Sequence, residues 1–315
     1  KKYITKTLTY MRIIGLLLLS CSLCMSCVQT DKKKALIDDD FLVAEQHLSN
    51  QLKAVPEPTV YPRTIGKDGK LIATPKNDWT EGFYPGCLWY IYEHNREENW
   101  KQSAIKWTEA LEPMKKLTSH HDIGFLIYCS FGNAYRLTGK EEYKDVIIEA
   151  ANSLTTRFSE VTGCIKSWNY RKAWNGRDEW FYPVIIDNMM NLELLYFASK
   201  VTGDTRYAKI ATTHAETTAK NQLRKDYSNY HVVDYDTLTG KVLHQATCQG
   251  FSDNSAWARG QAWAIYGYTM TYRETKNPKF LEIAIHTADY WLNHPNLPED
   301  GVPYWTGRVC SRLGL

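Results

Sequence analysis

The sequence has no basic stripe, no cysteine framework and little that reads as strand, and each lack narrows what it can do. Its 315 residues carry 38 Lys and Arg against 35 Asp and Glu, and the small excess sits at the N-terminus. Removing residues 1–26 deletes Lys1, Lys2, Lys6 and Arg12 and no acid, leaving 34 basic against 35 acidic residues. A chain so balanced offers no electrostatic footprint for a phosphate backbone, so nucleic acid is not an expected partner. Cys87, Cys129, Cys164, Cys248 and Cys310 are scattered and odd in number. They give neither a disulfide framework nor a zinc pattern.

A long apolar run is also missing. Met11 to Cys27, MRIIGLLLLSCSLCMSC, has a short basic start and an apolar run too brief to cross a bilayer. It reads as a secretory signal, with residues 1–10 as upstream sequence. Leu23 to Cys27 resembles a bacterial lipoprotein box, which makes Cys27 the residue to be lipidated. Cys21, Cys24 and Cys27 have metal-like spacing, but in a leader they are not read as a metal site. The expectation is a leader over 1–27, a polar tether over 28–40 and one domain over 41–315. A lipid on Cys27 would be its only membrane contact, in the periplasm or at the outer membrane.

Aromatic residues are plentiful. They make up 13% of the chain, with 11 Trp and 21 Tyr, enough both for a tight core and for flat faces that stack on sugars.

Helical patterns dominate what remains. Phe41 to Ala54 is amphipathic, and a Pro- and Gly-bearing loop runs on to Asp78. An apolar, aromatic helix is predicted from about Pro85, then an amphipathic one from Trp100 to Leu117. Asp122 to Leu137 is apolar all round and Glu141 to Arg157 amphipathic. Pro183 to Val201 is apolar, with Pro183 suited to a first turn, and Asp204 to Leu223 is polar. Ala256 to Tyr272 and Pro278 to Asn293 repeat the pair. Strand is expected only in short pieces, around His231 to Tyr235.

The turns repeat as well. AYRLTGKEEY (134–143) matches ASKVTGDTRY (198–207), with weaker copies at 271–280 and 91–100. Each joins an apolar helix to an amphipathic one and starts the second with an aromatic residue. Helices that are apolar all round are buried, and amphipathic ones lie outside them. A double ring of helices, an α/α barrel, fits that alternation. A linear solenoid is the alternative, although its repeat lengths are usually more uniform.

If alternate helices form the inner ring, their N-termini share one mouth. Asp122 begins one, Asp187 the next and Arg259 a third. Each residue alone could be a helix cap or half of an ion pair. Three in equivalent places read as a site. Facing carboxylates are usual equipment for glycosidic chemistry, with opposing environments that separate acid from anion. Arg259 and Trp263 are four apart and share a helix face, a combination suited to a sugar carboxylate.

HDIGF, IIDNMMNLELL, the loop with His231 and TCQGFSDNSAWARGQAWAIYGY resemble the unsaturated glucuronyl hydrolases, glycoside hydrolase family 88. The resemblance runs from about Asp78 to Trp305. It implies an (α/α)6 barrel and no cofactor or metal. The implied substrates are polysaccharide-lyase products, glycosaminoglycan oligosaccharides ending in a 4,5-unsaturated uronic acid. Asp187 would protonate C4 while water adds at C5. Asp122 would bind ring hydroxyls and keep Asp187 protonated. His231 and Gln249 would lie near the reacting carbons, Arg259 and Trp263 at the uronate carboxylate, and Trp79 and Trp174 would stack on rings.

Family members normally continue beyond DGVPYW (300–305) with an acidic loop and about three more helices, where this sequence runs TGRVCSRLGL. An incomplete ring is therefore expected. Hydrolysis of pectin-derived unsaturated rhamnogalacturonyl fragments is the neighbouring possibility. A non-catalytic sugar-binding lipoprotein, or an inactive truncated chain, is the possibility from another class.

Overall fold

The computed structural model describes residues 33–169, 171–172 and 179–305. The first helix, α1, spans 33–54, so residues 33–40 of the expected tether are helical. An antiparallel hairpin follows, β1 (Tyr61–Ile65) with β2 (Leu71–Thr74). Then come α2 (Phe83–Asn95) and α3 (Glu98–Glu109). The amphipathic segment expected to Leu117 breaks after Glu109 into a 3-10 turn, Glu112–Lys116, because Pro113 has no N–H to continue the ladder.

The next apolar rod is α4 (Ile123–Ile127), a π-helical turn (Tyr128–Gly132) and α5 (Asn133–Thr138), backed by α6 (Glu141–Thr155). Four two-residue strands follow: β3 (Phe158–Ser159) pairs with β4 (Cys164–Ile165), and β5 (Arg171–Lys172) with β6 (Glu179–Trp180). β7 (Pro183–Ile185) joins the helical pair α7 (Asn188–Thr202) and α8 (Thr205–Gln222) to β8 (Val232–Tyr235) and β9 (Val242–Ala246). α9 (Ala258–Thr275) and α10 (Pro278–Leu292) close the described chain.

Pro183 therefore starts a strand, and the helix begins five residues later than the pattern suggested. The reason is tertiary. β8 supplies a partner strand for residues 183–185, and the carboxylate of Asp234 accepts the N–H groups of Phe181 and Tyr182 at 3.1 and 2.7 Å. A local apolar run cannot reveal a partner fifty residues away. The strand around 232–235 appears where it was expected.

The alternation of inner and outer helices holds. α7 buries Met189, Leu192, Leu194, Leu195, Tyr196 and Ala198, on most sides of the helix, as an inner element must. A fully buried side chain of this kind contributes roughly 1.5–3 kcal/mol. α3, α6, α8 and α10 each lie against the inner helix that precedes them, with a polar face to solvent.

The repeated turns share one geometry. Arg96, Gly139, Gly203 and Lys276 are all left-handed, with φ of 61°, 68°, 76° and 56°. Each donates its N–H to the carbonyl four residues back, at Tyr92, Tyr135, Ser199 and Tyr272. The aromatic residue that opens each outer helix (Trp100, Tyr143, Tyr207 and Phe280) is buried in one continuous core. The weak copies at 91–100 and 271–280 are thus full structural copies.

Candidate active site

Both aspartates stand where their helices start, and neither caps its helix. Asp187 has φ −54° and ψ −27°, and its side chain accepts no capping hydrogen bond. Asp122 likewise makes none. The loss of that local role leaves both carboxyl groups for tertiary partners.

Asp122 is gripped by two histidines. Its Oδ2 lies 3.1 Å from His120 Nδ1, and its Oδ1 lies 3.3 Å from the buried His121 Nε2. Burial works against a charge there, but His121 and His120, with Arg157 behind, outweigh it and hold the carboxyl below its ordinary range. Asp122 is an anion. Arg157 keeps its place through donations from Nε to the Lys166 carbonyl, at 2.7 Å, and from Nη1 to the Thr118 carbonyl.

The tautomer of His121 follows from Asn191 on α7. The Asn191 Oδ1 accepts the N–H of Phe125 at 2.9 Å, so its amide nitrogen faces His121 Nδ1, 3.3 Å away, as the donor. The imidazole proton is therefore on Nε2, the nitrogen 3.3 Å from Asp122 Oδ1. Burial pushes the His121 pKa down, against the opposing pull of Asp122 and Asp187.

Asp187 is buried, 5% exposed, and its Oδ1 has no hydrogen-bond partner. Its nearest cationic candidate is His231 Nε2, at 3.5 Å. The backbone N–H groups of Cys248 and Gln249 donate to His231 Nδ1 at 2.9 and 3.1 Å, which puts the ring proton on Nε2, toward Asp187. The gap is longer than a good hydrogen bond, so both groups remain free to engage a third.

Arg259, on the first turn of α9, completes the mouth. Its Nη2 donates to Gln249 Oε1 at 2.6 Å, and its Cζ lies 4.4 Å above the Trp257 ring and 5.8 Å from the Trp79 ring. Among the described residues it forms no ion pair, and the side chain is exposed. The partial cover from its neighbours lowers its pKa, Asp187 raises it and Arg63 lowers it again, and an arginine stays charged through such effects. The indole under the guanidinium is that of Trp257. Trp263 packs on Phe125, with centroids 5.3 Å apart, and Phe125 in turn meets Trp79 at 5.8 Å.

The structure thus brings Asp122, Asp187, His231, Gln249, Arg259, Trp79 and Trp263 to one end of the inner helices. Trp174 and Cys27 lie outside the described residues. His121, Asn191, Arg157 and Trp257 belong to the same site and were not singled out from the sequence. His121 and Trp257 carried a signal, since each flanks a chosen residue in SHHD and AWAR. Arg157 and Asn191 carried none.

A cavity of about 790 Å³ runs along the inner faces of α2, α4, α7 and α9, touching Gly124, Tyr128, Glu193 and Tyr266. The two aspartates stand outside it, at the helix starts above.

Residues 61–274 match the model of Glycosyl Hydrolase Family 88. The chain belongs to that family. The unsaturated glucuronyl hydrolase of Formosa agariphila is 49% identical over 247 residues, which are 78% of this chain and 60% of that protein. The unsaturated chondroitin disaccharide hydrolase of Streptococcus agalactiae is 39% identical over 236 residues, 72% of this chain and 56% of that one. A crystal structure of an unsaturated glucuronyl hydrolase specific for heparin superposes with a TM-score of 0.82 at 44% identity, covering 86% of this chain and 71% of the other. The enzyme from Bacillus sp. GL1, responsible for the degradation of glycosaminoglycan, superposes with a TM-score of 0.76 at 32% identity over 84% and 68%. The family 88 fold is an (α/α)6 barrel, and the inner and outer helices described above are its layers. The chain spans about 60% of the length of the curated relatives it matches.

Proposed function

We propose that this site hydrates the 4,5-double bond of an unsaturated glucuronyl residue at the non-reducing end of a glycosaminoglycan fragment, and so releases the partner sugar. The observation that carries the reading is the division of labour between the carboxyl groups. Asp122 is held ionised by two histidines, whereas Asp187 has a buried oxygen without a donor beside His231.

Asp187 gives its proton to C4 of the vinyl ether. Positive charge then develops at C5 and the ring oxygen, where carboxylates stabilise it. Water adds at C5 through the same Asp187 group acting as base, and the hemiketal opens to expel the partner sugar. Arg259, unpaired with any acid among the described residues, receives the uronate carboxylate over the Trp257 ring. The resident carboxylates never attack the anomeric carbon, so their separation sets no stereochemical outcome.

The test is ultraviolet absorbance of unsaturated heparin and chondroitin disaccharides with purified protein and with Asp187→Asn. Wild type bleaches the conjugated alkene, and the variant loses at least about 100-fold in rate, the usual scale of a general acid. Equal bleaching by both would remove Asp187 from the mechanism. The same reading places the enzyme in the cell envelope through Cys27. Palmitate labelling in a bacterial host checks this, with Cys27→Ser expected to abolish the label.

A further inference from the structure

The described tryptophans are buried or partly covered, with one exception. Trp305 is 56% exposed, and Phe251, itself 48% exposed, meets it edge-on with ring centroids 6.5 Å apart and planes at 88°. Tyr304 beside them is 59% exposed. Rings this large leave water when they can, so an exposed group of three needs an account.

Its place in the fold supplies one. The Trp305 carbonyl accepts the N–H of Ala258 at 3.0 Å, one residue before Arg259 and one after Trp257. Phe251 follows Gln249 by two residues, and the Gln249 side chain holds the Arg259 guanidinium at 2.6 Å. Both rings are therefore tied by backbone to the elements that present Arg259 to a carboxylate. Gly250, between Gln249 and Phe251, is pinned as well, since its N–H donates to Thr247 Oγ1 at 2.8 Å. The aromatic surface is a continuation of the mouth.

We infer that Phe251 and Trp305 form a stacking platform for the sugar next to the unsaturated uronate. This rests on the proposed reading of the site. A pyranose presents an axial C–H face without strong hydrogen-bonding groups, and a ring that is flat, apolar and fixed in place matches it at little entropic cost. Orthogonal rings contact both the face and the edge of one pyranose. The platform recognises shape, so it serves the partner sugar whether or not that sugar is sulfated.

The test compares two substrates that differ only beyond the uronate: a methyl glycoside of the unsaturated glucuronate and an unsaturated disaccharide. The readout is the ratio of kcat/KM on the disaccharide to that on the methyl glycoside. Trp305→Ala and Phe251→Ala each lower this ratio about threefold to tenfold, the scale of one aromatic contact, and Trp305→Phe restores most of it. A ratio unchanged by either alanine variant, with wild type active, overturns the platform and leaves the hydrolase reading standing. Equal losses on both substrates also overturn it, since they would report disturbance of α9. If folded wild type turns over neither substrate, the hydrolase reading fails and the platform fails with it.

Discussion

At the residue scale, the charge carried by each group of the site is set by its neighbours. Arg259 shows how specific such an assignment is. Its guanidinium lies over Trp257, 4.4 Å from the ring centre, and Nη2 donates to Gln249, leaving the rest of its fork for a carboxylate. Lysine keeps the charge but has neither the plane nor the fork. Arg259→Lys is expected to raise KM for an unsaturated disaccharide about tenfold, with a smaller change in kcat, measured by steady-state kinetics. Glu81 illustrates the opposite assignment. It is fully buried beneath the Trp79 turn, with no partner for either carboxyl oxygen. Burial first, and Asp78 second, push its pKa up to about 8, against the pull of Arg63. The folded state keeps this proton up to about pH 8, whereas the unfolded chain releases it near 4.5. The contribution of Glu81 to stability is therefore greatest below about pH 4.5 and declines between those values, by up to about 4 to 5 kcal/mol. Glu81→Gln, which cannot ionise, should lose far less between pH 5 and pH 9 in urea unfolding. A parallel decline in both proteins would show that Glu81 does not titrate in this way.

At the element scale, the inner helices approach one another through glycine. Gly86 of α2 faces Cys129, Gly124 of α4 faces Asn191 on α7, and Gly267 of α9 faces Met189 on α7. A Cβ at Gly124 would lie 2.6 Å from Asn191 Cβ, closer than any real contact, so one helix must move. Overpacking of this kind costs about 1–3 kcal/mol. The position matters beyond stability, because Asn191 links the N–H of Phe125 to the His121 ring that holds Asp122. Gly124→Ala should therefore lower both the melting temperature and kcat. Gly203→Ala, in a left-handed turn far from the mouth, should cost about 1 kcal/mol and leave kcat unchanged. Comparing melting curves and turnover of the two variants checks this. Similar kinetic losses would mean that the α4–α7 contact has no special role.

At the scale of the whole molecule, the site is a property of the ring. Asp122, Asp187 and Arg259 come from three inner helices, and His231 comes from a loop beside β8. The alternation of apolar and amphipathic helices was legible in the sequence because burial on all sides leaves a periodicity signal. The shared mouth followed from that alternation. What escaped was set by contacts between distant segments: the strand at Pro183, the tautomer of His121 fixed by Asn191, and Arg157 behind Asp122. No local pattern encodes those partners. The same long-range construction makes a ligand a cross-link. An unsaturated disaccharide that touched Asp122, His231 and Arg259 together would favour only the state in which their elements converge. At 100 times its dissociation constant it stabilises the fold by about 2.7 kcal/mol. Turnover would destroy the ligand, so the measurement uses Asp187→Asn, which is expected to bind without turning over. Its melting temperature should rise by several degrees with the disaccharide and not with the corresponding saturated disaccharide, whose ring is puckered at C5. A rise with both would mean that the mouth reads only the carboxylate. No rise with either would mean that the three helices hold their arrangement without reference to this ligand, and the proposed substrate class would have to be replaced.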